Sequence, residues 1–146
     1  METDTSKKFS PSKLGTYQNC PRRYRYRYVD KIKRDAQSVE AFLGSCVHSA
    51  FERLYEALMH GKRLTLEDTL QVFEEKWDGD WSEAVQIRNV EFSPQDWRQI
   101  GRDCIRTYYE AHAPFEKDKT VAVEKRIGFP LELGGQQYLI EGFIDR

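Results

Sequence analysis

The chain has 146 residues, of which 39% are hydrophobic and 32% charged, and its net charge is −1. That size suits one modest domain, and that balance excludes a disordered polyelectrolyte. No apolar run approaches the roughly 20 residues of a membrane span, and the polar stretch from Met1 to Lys8 lacks the apolar core of a signal peptide, so a cytoplasmic location without a membrane partner is expected.

The small net charge conceals an uneven distribution. Between Pro21 and Arg34 stand seven basic residues and one acid, which leaves the remainder of the chain acidic. A concentrated basic segment on an acidic protein points to a localised polyanion site. The three cysteines, at 20, 46 and 104, form no CxxC and no paired disulfide set.

In chain order, residues 1–9 read as a flexible tail. Ser10-Pro11 opens a short helix, with Ser as N-cap and Pro at the first helical position, running through Leu14 and Tyr17 to about Asn19. From Cys20-Pro21 to Tyr28, arginine and tyrosine alternate. A helix after the proline is expected, with Arg22, Arg23, Arg25 and Arg27 available to phosphates and Tyr24 to unpaired bases. The tyrosines would equally suit the core. Lys31 to Ser38 reads as a polar loop.

Val39 to Gly61 carries apolar residues at helical spacing, and Gly61 follows as the left-handed residue that ends the helix. Cys46 lies on its apolar stripe. Gly44, His48 and Glu52 stack along the stripe's border. Glycine there costs about 1 kcal/mol against alanine, which suggests close approach of a neighbour. His48 beside it is open to two readings, a hydrogen-bonded packing residue or a ligand.

Thr65 caps a second helix to Trp77, with Asp68 completing the capping pattern. Residues 81–92 are ambiguous, with room for another helical turn or two. Ser93-Pro94-Gln95-Asp96 opens a third long helix carrying Trp97, Ile100, Cys104, Ile105, Tyr108 and Tyr109, on which Cys104 reads as core. The period then changes to two. Residues 121–133 read as a strand, Gly134-Gly135 as a tight turn, and Gln136 to Asp145 as the return strand. Asp145 ends an apolar strand, where a carboxylate is costly to bury unless an arginine or a metal pairs it. The fold class is therefore α/β, α+β-like over this length: a helical N-terminal portion followed by a β-hairpin. Two strands alone leave open edges, so a homodimer through an exposed strand edge is expected.

Four blocks in order carry a resemblance. They are Ser10, Leu14, Tyr17 and Cys20-Pro21-Arg22-Arg23-Tyr24; then Leu43-Gly44 with Val47-His48; then Val123-Glu124; then Gly142-Phe143-Ile144-Asp145-Arg146. Together they resemble the RecB-like branch of the PD-(D/E)XK nuclease superfamily, which includes the nuclease domains of recombination helicase-nucleases and CRISPR-associated exonucleases. The resemblance implies the first half of a restriction-endonuclease-like core and a DNA exonuclease dependent on Mg²⁺ or Mn²⁺. It implies His48 and Asp145 as catalytic metal ligands. Glu124 matches a frequent glutamate on the preceding strand, although a surface salt bridge to Arg126 accounts for it equally well. Cys20 matches the first of four cysteines that hold a 4Fe-4S cluster in some members. The implied partners are DNA, single-stranded or with a free end, and a helicase or CRISPR protein.

The family pattern continues into a strand bearing Glu-x-Lys or Asp-x-Lys, and this sequence ends at Arg146, before it. Residues 10–146 are accordingly expected to be the N-terminal part of a nuclease domain, inactive as they stand. The alternative is a non-catalytic DNA-binding module or nuclease relic acting through the Arg/Tyr segment.

Overall fold

A computed structural model describes residues 8–32, 36–89, 91–117 and 119–144. They fall into two compact units, one from residues 36–123 and one from 8–32 with 124–144.

The helical unit is held by three long helices, α3 (Val39–Met59), α4 (Leu66–Asp80) and α5 (Pro94–His112). Each start is fixed locally. Ser38 accepts a hydrogen bond from the Ala41 N–H, and Thr65 with Asp68, and Ser93 with Asp96, form reciprocal capping boxes. Gly61, at φ +69, follows the end of α3 in the left-handed conformation that glycine adopts without strain. The apolar faces meet in one core of Phe42, Cys46, Ala50, Phe73, Trp77 and Ile105. Burying side chains of this size stabilises by about 1.5–3 kcal/mol each. Arg98 and Arg102 of α5 both reach the Glu74 carboxylate of α4, and Arg98 also pairs with Asp78.

The glycine that permits close packing is Gly101 and not Gly44. A Cβ built on Gly101 would stand 2.5 Å from Phe73 Cζ and 2.7 Å from Leu43 Cδ1. One built on Gly44 meets no described atom within 4 Å. The buried side of α5 runs through Gly101 and Ile105, which turns Cys104 and Ile100 outward. This corrects the expectation that Cys104 lies in the core. Cys46 does lie there, and burial pushes its thiol up to about 11. Residues 81–92 hold a short strand, β3 (Val85–Gln86), paired parallel to β2 (Gln37–Ser38) at the end of the expected polar loop.

In the hairpin unit, β4 (Lys125–Leu133) and β5 (Gln136–Ile144) are antiparallel from Lys125↔Ile144 to Leu133↔Gln136. Gly134 and Gly135 both have positive φ, 61° and 73°, as a two-residue I′ turn requires. β4 begins at Lys125, later than the sequence pattern suggests. Lys8 and Phe9, assigned to the tail from sequence, form β1, which pairs parallel to β5 at Leu139 and Ile140. The sheet order is β1-β5-β4, so β4 forms its longer edge and the two-residue β1 the other. The tight turn makes Leu133↔Gln136 a hydrogen-bonded pair, and bonded pairs alternate from there. Pro130 falls in the other set, so its missing N–H is on the outer side. This edge, one that could recruit a second copy, therefore lacks one donor near its middle. Among its described residues, this unit buries no side chain fully. No helix of the described residues is long and apolar enough to cross a membrane.

Candidate nucleic-acid interface

The basic segment is helical because two caps and two prolines start it twice. Ser10 caps α1 (Pro11–Asn19) by accepting from the Lys13 N–H at 3.2 Å. Cys20 then caps α2 (Pro21–Tyr24), its Sγ accepting from the Arg23 N–H at 3.4 Å. Arg25–Val29 continues as a π-helical turn, closed by Asp30 N–H donating to the Arg25 carbonyl at 2.8 Å. Such turns insert one residue into the helical register and recur at functional sites.

The register sorts the side chains. Tyr24 and Tyr28 are half-buried, with ring centroids 5.2 Å apart, and Tyr17 meets Tyr24 edge-on at 5.3 Å. Lys13 lies 5.9 Å from the Tyr28 centroid and 4.7 Å from that of Phe9. Arg22, Arg23, Arg25 and Arg27 are all exposed. Arg25 is paired with Asp30 at 3.3 Å. Arg22 donates from Nε to the Tyr26 hydroxyl at 2.9 Å, and Arg27 lies 5.5 Å from the Tyr28 centroid. Guanidinium groups presented along one segment can contact successive phosphates.

The other expected site residues stand as follows. His48 is exposed on α3, with Glu52 half-buried one turn on. Glu124 precedes β4 instead of lying on a strand, because its backbone is left-handed at φ +50, outside the range of a pleated ladder. Arg126 pairs with Glu141 across the hairpin at 2.7 Å. Glu141 also faces Lys8 at 3.9 Å. Its carboxyl lies below the ordinary range, chiefly through the Arg126 hydrogen bond. Sequence does not single out Glu141; the signal is an acid in an apolar strand, which sits opposite Gly128 and diagonal to Arg126. Asp145 lies outside the described residues.

Among the described residues, no three His, Cys, Asp or Glu side chains come together as a metal site would require. The described residues thus hold no complete ligand set for a divalent cation or for an iron–sulfur cluster, and Asp145 is not among them. Cys20 is exposed and its sulfur serves as a helix cap.

A family model described as the PD-(D/E)XK nuclease superfamily matches residues 8–146 of the chain. No curated protein and no solved structure matches it.

Proposed function

The chain belongs to the PD-(D/E)XK nuclease superfamily, and from that premise we propose that it is a module of a metal-dependent DNA exonuclease that holds a DNA strand with its Arg/Tyr segment. Membership implies phosphodiester hydrolysis supported by Mg²⁺ or Mn²⁺. The observation that carries the reading is the family match, whose span of residues 8–146 takes in the arginine segment, the long helix α3 and the hairpin. The exposed arginines of the α2–π segment support a DNA-gripping role, since guanidinium groups on a rigid helical turn reach phosphates without ordering a loop. His48 is the proposed histidine ligand of the cation, a role that its exposure on α3 allows. Asp145 is the proposed carboxylate ligand, Glu124 a candidate accessory carboxylate, and DNA repair or CRISPR-type processing the proposed setting.

The test is cleavage of end-labelled single-stranded DNA by the full-length protein in Mg²⁺ or Mn²⁺. Stepwise loss of nucleotides from an end is expected. His48→Ala and Asp145→Ala should each lower the rate on the order of 100-fold or more, the scale of losing a cation's several kcal/mol of charge stabilisation. Internal cuts would refute the exonuclease assignment. Cleavage unchanged in both variants would remove the two residues from the site. DNA binding without cation-dependent cleavage would favour a non-catalytic module.

A further inference from the structure

We propose that Tyr26, partnered by Arg22, is the platform on which the basic segment stacks a base of single-stranded DNA, while Tyr24 and Tyr28 are its internal scaffold. The proposal rests on the DNA-binding reading above and goes further in assigning the base contact to one residue.

All three tyrosines belong to the same Arg/Tyr alternation, so sequence alone treats them as equals. Their surroundings differ. Tyr24 has Tyr17 edge-on at 5.3 Å and Tyr28 at 5.2 Å, so two rings already take its contact surface. Tyr28 has Tyr24, the Lys13 ammonium and the Arg27 guanidinium around it. Tyr26 is 41% exposed. Its hydroxyl accepts the Arg22 Nε–H at 2.9 Å, and the Arg22 guanidinium carbon stands 5.5 Å from its ring centroid. That bond restrains the ring before any ligand arrives, which lowers the ordering cost of stacking. It also places a cation over the ring, where it can meet a phosphate or extend the stack. Paired bases in a duplex offer no such face; an unpaired strand does.

Fluorescence anisotropy with the full-length protein tests this, using a labelled oligothymidylate and an abasic strand of equal length and charge. Base–aromatic stacking predicts that Tyr26→Ala weakens oligothymidylate binding about 5- to 100-fold and abasic binding less than about twofold. Tyr26→Phe, which keeps the ring and loses the hydroxyl, should retain most of the preference for the base-bearing strand. Tyr24→Ala should lower the melting temperature. A wild type that prefers oligothymidylate, with Tyr26→Ala leaving that preference intact, would overturn the assignment while sparing the DNA-binding reading. Equal losses on both strands would also overturn it, by reducing Tyr26 to a support for Arg22. A wild type that binds neither strand would remove the DNA-binding reading and this assignment together.

Discussion

The helical unit and the hairpin unit solve opposite problems with similar residues. The helical unit has the three long helices, two capping boxes and a core in which Phe73, Leu54 and Ile105 are wholly inaccessible. The hairpin unit also brings aromatic rings together, Phe9 with Tyr138 and Tyr24 with Tyr17 and Tyr28, yet none of its described side chains is fully buried, and Phe129, Leu131, Leu133 and Phe143 remain exposed. Its charges are surface charges too: the four arginines of the α2–π segment stand outward, whereas Arg98 and Arg102 of α5 are spent on Glu74. Apolar content alone therefore does not separate a core from an exposed face. What separates them is whether the apolar stripes of several elements converge.

Substitutions should measure that difference directly, through thermal and denaturant unfolding. Phe73→Ala removes a wholly buried ring and should cost about 3–5 kcal/mol. Gly101→Ala forces a methyl against Phe73 and Leu43, and should cost about 1–3 kcal/mol through overpacking. Phe129→Ala, at an exposed hairpin position, should stay within about 0.5 kcal/mol. A Phe129→Ala loss as large as that of Phe73→Ala would erase the distinction between the units.

A smaller effect comes with acid. Asp68 and Asp96 are held below their ordinary 3.8 by hydrogen bonds from Thr65 and Ser93. A depressed folded-state pKa contributes stability that is present above the unfolded value and lost as pH falls through the folded one. Stability should therefore be level above about pH 5 and fall below about pH 4. Thr65→Ala and Ser93→Ala should each remove about 1 kcal/mol at neutral pH and flatten the acid slope. A slope unchanged in both variants would show that the caps do not carry it.

The parts of the fold legible in the sequence were those specified by neighbours in the chain. Ser93-Pro94-Gln95-Asp96 states a helix start in four residues, and Gly134-Gly135 states a turn. The two-residue strands were not legible, because Lys8-Phe9 and Gln37-Ser38 are strands only through partners far along the chain. On α5, Trp97, Ile105, Tyr108 and Tyr109 lie toward the inner side as the pattern suggests, whereas Ile100 and Cys104 do not: Gly101, the position that lets Phe73 approach, contributes no hydrophobicity to a pattern. The same limit applied at the candidate site. Charge density located the arginines, but the π-turn and the rings around it decide which tyrosine is exposed. His48 was legible as an oddity on its helix, and its role came from family resemblance.

The most direct test of the account is the salt dependence of single-stranded DNA binding by the full-length protein. Each lost phosphate contact should lower the log–log slope by about 0.7. Arg25→Gln alone should change it least, because Arg25 already pairs with Asp30. Replacing Arg22, Arg23 and Arg27 together by Gln should lower the slope by about 2, with unfolding unaffected. A slope that stays at the wild-type value in the triple variant would contradict the claim that this segment is where the protein holds DNA.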